Sequence, residues 1–160
     1  MKPIETGDMI PEFSLPDQDG KIFDIKNVLG QKKLVVFFYP RDGSHGCTRE
    51  ACYFRDFSET FNEADALIIG ISGQSVESHK DFAAKYSLNY PLLSDTGDKV
   101  RQLFGVPSDG FGMIPGRVTY VANKEGKVIH VFNSQTQVRR HVDEALKVVL
   151  VLRKADNGNN

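Results

Sequence analysis

Short apolar segments separated by turn residues predict that the chain begins with a β-hairpin. Residues 13–25, FSLPDQDGKIFDI, place an Asp-Gly turn between two segments in which apolar and polar side chains alternate, the pattern of short strands joined by a tight turn. Residues 33–39, KLVVFFY, follow as a nearly unbroken run of β-branched and aromatic side chains, which is typical of a strand buried on both faces of a largely parallel sheet. We therefore expect a hairpin followed by a central strand, which ends at Pro40.

Helical and extended patterns then alternate along the rest of the chain. Three phenylalanines recur at helical spacing within residues 47–64, and the apolar run at residues 66–71 repeats the pattern of a buried strand. The remaining predicted elements are a helix at 75–86, a short helix at 100–104, a Gly- and Pro-rich loop at 105–116, a hairpin of strands at 118–121 and 128–132, and an amphipathic helix at 138–154. This order predicts an α/β fold with a central mixed sheet flanked by helices.

The length and composition indicate one ordinary globular domain. The chain has 160 residues, of which 40% are apolar and 26% charged, enough to form a core without structural metals or disulfides. No internal repeat or linker interrupts the pattern. We assign residues 1–155 to a single domain and residues 156–160, DNGNN, to a polar tail.

The charge balance and the chain start exclude several classes of function. The 20 basic and 21 acidic side chains leave a net charge of −1, so no positive field attracts nucleic acid or an anionic membrane. No apolar run approaches the roughly 20 residues that span a bilayer. The start, MKPIETGD, lacks the apolar stretch of a secretory signal. We expect a cytoplasmic protein with no nucleic acid or membrane partner.

The segment PRDGSHGCTREAC at residues 40–52 carries the features that thiol chemistry requires. A thiol attacks as its thiolate, and free backbone N–H groups at a helix N-terminus favour that negative charge. Cys47 is predicted to occupy such a position. Ser44 is placed to offer a hydroxyl to the sulfur or to a bound peroxide oxygen, and Pro40 to shape the loop that directs it.

Cys52 lies five residues after Cys47, and that spacing predicts a conformational change. Five helical residues rise about 7.5 Å and place the two Cα atoms roughly 8 to 9 Å apart, whereas a disulfide tolerates about 7 Å. The helix must therefore unwind locally before the cysteines can bond. We predict that a sulfenic acid forms at Cys47, condenses with Cys52 and is restored by an external dithiol.

This segment resembles the active-site motif of peroxiredoxins, Pro-x-x-x-Thr/Ser-x-x-Cys, and its CTREAC continuation resembles the Q-type, bacterioferritin-comigratory-protein-like branch. The similarity extends to FSLPDQDG at 13–20, GIS at 70–72, LLSD at 92–95 and PGR at 115–117. The resemblance implies a thioredoxin-like fold, resolution within one chain and a monomer. Two departures are Ser44, where threonine is commoner, and His45, where the branch usually has proline.

The same resemblance assigns two further site residues. Arg117 corresponds to the family's second-site arginine, which faces the thiolate and the peroxide, and Glu50 to the acid that fixes this arginine. A permanently charged guanidinium can stabilise a thiolate and orient an oxygen on which negative charge develops. The catalytic set is therefore Pro40, Ser44, Cys47, Glu50, Cys52 and Arg117.

The implied activity is reduction of hydrogen peroxide and small organic hydroperoxides, with a thioredoxin-like protein as electron donor and no metal, haem or flavin. The alternative is a non-enzymatic redox switch, in which the same unwinding exposes a surface to a partner. A plastid is the alternative compartment, because some relatives in the resemblance are plastid proteins.

Simpler interpretations of individual residues remain open. The two cysteines could be buried structural thiols, but two thiols with scattered histidines do not supply the close ligand pairs of a zinc site, and the Cys-x-x-Cys of a thioredoxin-like reductase is absent. Arg117 could be a surface residue at a strand start. The histidines are expected to be solvated, although His45 could tune the thiolate. Phe111 and Met113 could be core residues or line the peroxide entrance.

Overall fold

A five-stranded mixed sheet forms the centre of the computed structural model, which describes residues 2–158. The strands are β3 (Lys33–Phe38), β4 (Ala66–Ser72), β5 (Leu92–Ser94), β6 (Val118–Ala122) and β7 (Val128–Asn133), in the spatial order β5-β4-β3-β6-β7. β4 is parallel to β3 and β5, whereas β6 is antiparallel to β3 and β7. A separate hairpin of β1 (Ser14–Pro16) and β2 (Ile22–Asp24) precedes the sheet. The predicted mixed sheet and both hairpins are confirmed.

Strand β3 lies in the middle of the sheet, and every one of its side chains is buried. Successive side chains of a strand point to opposite faces, so Val35 and Phe37 enter one hydrophobic cluster, and Leu34, Val36 and Phe38 enter the other. Each cluster is then closed by helices or by the hairpin. The continuous apolar run predicted this two-sided burial.

The helices cover both faces of the sheet. They are α1 (His45–Asp56), α2 (Ser58–Glu63), α3 (Val76–Tyr86), α4 (Lys99–Phe104) and α5 (Val138–Gly158). Phe54 of α1, Phe82 of α3 and Val149 of α5 join the cluster on one face, whereas Phe104 of α4 joins the hairpin on the other. Within residues 2–158, no helix is both long enough and apolar enough to cross a bilayer.

Two helix boundaries differ from the sequence prediction. The single helix predicted at 47–64 is divided at Phe57, whose φ of −103° and ψ of 7° are not helical. Residues 156–158, expected in a polar tail, continue α5, and the Asp156 carboxylate lies 2.8 Å from Nζ of buried Lys33 at the start of β3. This ion pair connects the last turns of α5 to the start of β3. Asn159 and Asn160, the rest of the predicted tail, lie outside the described residues.

The register of β3 and β6 brings the two predicted halves of the site together. Phe38, the last residue of β3, pairs with Val118, the first residue of β6. Because the pairing is antiparallel, the residue before Val118 lies at the same sheet edge as the loop that follows β3. Arg117 is therefore held beside the loop that leads to Cys47.

Candidate active site

Cys47 occupies the first turn of α1, with its side chain almost fully buried at 1% exposure. Ser44 is the N-cap residue, and its carbonyl accepts the first helical hydrogen bond from the Thr48 amide at 2.9 Å. The side chain of Ser44 makes no capping bond but donates to the Arg41 carbonyl at 3.2 Å. Cys47 thus lies at the positive end of the helix, where backbone N–H groups stabilise an anionic sulfur.

Cys52 lies on the same continuous helix and is only partly buried. Burial raises the pKa of its thiol above the ordinary value, the Arg55 charge opposes this, and the Asp56 charge adds to it. Cys52 is therefore a thiol near neutral pH. Because α1 is unbroken between the two cysteines, its geometry separates them by more than a disulfide allows. The requirement for local unwinding that the sequence predicted applies to this structure.

Arg117 lies against the start of α1 and is 4% exposed. Its Nη1 donates to Oε1 of Glu50 at 2.7 Å, and its Nε donates to the Gln135 carbonyl at 3.1 Å. A Cβ atom built on Gly46 would lie only 3.1 Å from Nη2 of the arginine. Burial alone would lower the pKa of Arg117, but nearby negative charge, first that of Glu50 with its hydrogen bond, raises it above its usual value. Arg117 is therefore a buried, permanently charged cation beside the start of α1.

Glu50 is completely buried one helical turn after Cys47. Burial raises the pKa of Glu50 from 4.5 to about 7, even though the charge of Arg117 and its hydrogen bond act in the opposite direction. Its Oε1 accepts from Arg117, while among the described residues its Oε2 has no hydrogen-bond donor and lies 3.5 Å from Nδ1 of His141. Glu50 thus holds the guanidinium of Arg117 through one carboxylate oxygen, while its other oxygen is buried without a donor.

Two histidines expected to be solvated are in fact fully buried next to this site, at His79 and His141. His141, on α5, has Nδ1 at 2.8 Å from Oγ1 of Thr119 and Nε2 at 2.7 Å from the Ser134 carbonyl. Burial lowers its pKa from 6.5 to about 4, with a further contribution from the Arg117 charge, while the Ser134 hydrogen bond opposes the shift. His141 is therefore a neutral imidazole that packs beneath Glu50. His45, by contrast, is exposed.

Arg101 is a structural residue of the site that the sequence analysis missed. Its Nη1 donates to the Gly116 carbonyl at 2.8 Å and its Nη2 to the Tyr39 carbonyl at 3.0 Å. It therefore ties the segment before Arg117 to the end of the strand before the Cys47 loop. Its only signal in the sequence is an arginine in a short helix, which resembles any surface position.

The loop at residues 105–116 lies on the surface, as predicted. Phe111 and Met113 are 109% and 83% exposed, so they are not core residues. The Pro115 carbonyl accepts a hydrogen bond from Gln135 at 2.8 Å. Among the residues that the structure describes, no three His, Cys, Asp or Glu side chains are grouped closely enough to hold a metal ion.

The sequence is similar to that of a known protein family over most of its length. The model of the AhpC/TSA family matches residues 6–131. The chloroplastic peroxiredoxin Q of Sedum lineare is 50% identical over 150 residues, which cover 94% of this chain and 80% of that protein.

Solved structures of similar proteins share the fold. Peroxidoxin BcpB of Mycobacterium tuberculosis has a TM-score of 0.86 at 36% identity, covering 93% of this chain and 98% of that one. The bacterioferritin comigratory protein of Xanthomonas campestris, whose structures concern its alkyl peroxide reduction activity, has a TM-score of 0.80 at 29% identity and covers 88% and 92%. These similarities confirm the thioredoxin-like fold predicted from the sequence.

Proposed function

This chain belongs to the AhpC/TSA family as a relative of peroxiredoxin Q, and from that membership we propose that its reaction runs through Cys47 as peroxidatic and Cys52 as resolving residue. The chain is a thiol-dependent peroxidase, because it is about half identical to peroxiredoxin Q proteins over more than 90% of its length. The observation that supports the assignment is the Cys47 side chain, buried in the first turn of α1, where Arg117 packs against neighbouring Gly46 and bonds Glu50.

In the first step, the thiolate of Cys47 attacks one peroxide oxygen. The O–O bond breaks, a sulfenic acid forms at Cys47, and the departing oxygen takes a proton to leave as water or an alcohol. Arg117 stabilises the charge that moves from sulfur to oxygen. Glu50 holds the guanidinium through the 2.7 Å hydrogen bond, Pro40 shapes the loop, and the Ser44 hydroxyl orients the peroxide.

In the second step, the first turn of α1 unwinds and the Cys52 thiol condenses with the sulfenic acid. A disulfide forms and one water molecule leaves. A dithiol of the thioredoxin type then reduces the disulfide, so that both cysteines regain their thiols and the donor becomes oxidised. Thiol-dependent peroxidases of this family act with such a reductant, which supports this last step.

Hydrogen peroxide and small organic hydroperoxides are the proposed substrates. The alkyl peroxide reduction activity of the Xanthomonas campestris relative supports the organic class. We also propose a monomer, which light scattering after gel filtration would test.

A plastid is the proposed compartment. Curated relatives from several plants are chloroplastic, and they give no support to the cytoplasmic location expected from the sequence. Fractionation of source cells with an antibody to this chain would test the location.

The test is peroxide-dependent oxidation of thioredoxin, followed as NADPH consumption with thioredoxin reductase present. Sustained turnover in the wild type and its loss in Cys47→Ser are expected. Slow, stoichiometric formation of a disulfide without turnover would instead favour a redox switch. Cycling that survives Cys47→Ser would overturn the assignment of the peroxidatic residue.

A further inference from the structure

The loop that precedes Cys47 is attached to α3 through the carboxylate of Asp42. Its Oδ1 accepts from the Tyr39 hydroxyl at 2.6 Å, and its Oδ2 accepts from the Ser78 hydroxyl at 2.9 Å and lies 2.6 Å from Nδ1 of His79. The amide of Asp42 also donates to the Gln74 side chain at 3.0 Å. Three donors to one carboxylate form a dense polar contact beneath an otherwise exposed loop.

Both ring nitrogens of His79 face oxygen atoms that can accept hydrogen bonds when Asp42 is ionised. Its Nε2 lies 3.0 Å from the Leu93 carbonyl, which can only accept, and its Nδ1 faces the Asp42 carboxylate. Burial would raise the pKa of Asp42, but hydrogen bonds from His79, Tyr39 and Ser78 and the His79 charge lower it. The two side chains therefore form a buried ion pair, in which the His79 side chain is 0% exposed and the Asp42 side chain 6% exposed.

The Asp42–His79 ion pair is connected to the buried cluster that contains the reacting cysteine. Tyr39, whose hydroxyl donates to Asp42 at 2.6 Å, belongs to the same hydrophobic cluster as Cys47. Asp42 is also only two residues before Ser44, whose carbonyl accepts the first hydrogen bond of α1. Fixing Asp42 therefore restricts the position at which the helix begins.

On the basis of the reaction proposed above, we propose that His79 is a positioning residue. Its ion pair with Asp42 stabilises the helical form of the active site, in which Cys47 meets peroxide, relative to the unwound form, in which Cys52 reaches Cys47. The unwound form gains conformational freedom in the loop, and the ion pair offsets that gain. Its strength thus sets how long the sulfenic acid remains exposed to a second peroxide.

The test measures the partition of the Cys47 sulfenic acid. Reduced full-length protein receives increasing hydrogen peroxide without reductant, and mass spectrometry gives the ratio of disulfide to sulfinic acid. In His79→Gln and Asp42→Asn the peroxide concentration that gives half sulfinic acid should rise about tenfold, the effect of losing a charge-assisted hydrogen bond. The rate of the first oxidation of Cys47 should fall by a smaller factor than the partition shifts, because that step needs only the helical form, whereas the partition compares the helical form with the unwound form.

Asp42→Asn keeps the shape of the contact, because a neutral His79 can then accept from the introduced amide and still donate to Leu93. If the two residues act through each other, the double variant should partition like either single variant. Val128→Ala is the matched control, since this residue is fully buried in the cluster on the opposite face of the sheet and should lower global stability without changing the partition.

Several outcomes would overturn the proposal. They are an unchanged partition in both single variants, an equal shift in Val128→Ala, or additive effects in the double variant. A wild-type protein that forms no disulfide between Cys47 and Cys52 would overturn the proposed function as well. If instead the wild type forms the disulfide and the variants show the same partition, only the role of His79 is overturned.

Discussion

Nη1 of Arg117 lies 2.7 Å from Oε1 of Glu50, a residue of the helix that carries Cys47, and both side chains are buried. The contact holds a permanent cation against the start of α1, on the side where Gly46 has no side chain. The carboxylate therefore controls the placement of the arginine, which in the proposed reaction stabilises the sulfur anion.

Arg117→Lys should slow the attack on hydrogen peroxide by at least about tenfold, because lysine keeps the charge but cannot bond Glu50 and Gln135 from one planar group. Rapid quenching with an alkylating reagent and mass spectrometry would measure the loss of the Cys47 thiol. Arg49→Lys is the matched control, since Arg49 is exposed on the same helix, and it should keep the wild-type rate. A wild-type rate in Arg117→Lys would refute the role of the planar guanidinium.

The pH dependence of stability should reflect two buried groups with opposite pKa shifts. Burial raises the pKa of Glu50 from 4.5 to about 7 against the effect of Arg117, so the folded state holds the extra proton and stability falls as pH rises through this window. Burial lowers the pKa of His141 from 6.5 to about 4, so the unfolded state holds the extra proton and stability rises over that range. The two slopes oppose each other between pH 4.5 and 6.5.

Glu50→Gln should therefore remove the contribution of Glu50 to the pH dependence of stability and leave that of His141. The free energy of unfolding of this variant is expected to rise with pH between about 4.5 and 6.5, by up to about 1 kcal/mol per pH unit. Urea denaturation at fixed ionic strength would measure it. In His141→Gln the same measurement should show a falling slope. If both variants keep the wild-type pH dependence, neither residue controls it.

Cys52→Ser should retain the first oxidation of Cys47 but lose cycling supported by thioredoxin. Serine cannot condense with the sulfenic acid, so this intermediate should persist, react with dimedone and be converted to sulfinic acid at lower peroxide concentrations. Mass spectrometry would follow both products. Unimpaired cycling in the variant would show that the resolving thiol comes from outside this chain.

The elements that the sequence predicts correctly are those whose signals come from neighbouring residues. The hairpin at 13–25, the buried run of β3 and helix α3 depend on neighbouring residues, and each is found as predicted. The break between α1 and α2 at Phe57 was not predicted, because apolar residues keep their helical spacing across it. Asp42 and His79 are separated by 37 residues, and no local pattern marks a buried histidine whose partner lies on another element.

The pairing of Arg117 with Glu50 shows the same limit in the site itself. The two residues are 67 positions apart, and only the resemblance to peroxiredoxins connected them. Their contact depends on the register that sets Phe38 opposite Val118. Such a register follows from packing of the whole sheet, which the order of short strands does not specify.

Gly46→Ala offers the sharpest separation of stability from activity. Alanine is the better helix former, by up to about 1 kcal/mol in a helix interior, and Gly46 lies in the first turn of α1, so we expect the free energy of unfolding of the reduced protein to change little. The new Cβ would lie 3.1 Å from Nη2 of Arg117 and 3.7 Å from Cγ1 of Val138, so the guanidinium must shift by a few tenths of an ångström. Because the peroxide step depends on that placement, we expect it to slow about tenfold.

The matched control for Gly46→Ala is the same change in the Arg117→Lys background. Lysine has no Nη2 atom for the added methyl to displace, so the second substitution should slow peroxide attack little further, and the two effects should not add. Full additivity would mean that Gly46 acts on the helix start or on Cys47 directly. A rate that stays at the wild-type value in Gly46→Ala would mean that the thiolate tolerates a displaced arginine, and the tight packing of Arg117 against α1 would then contribute to stability alone.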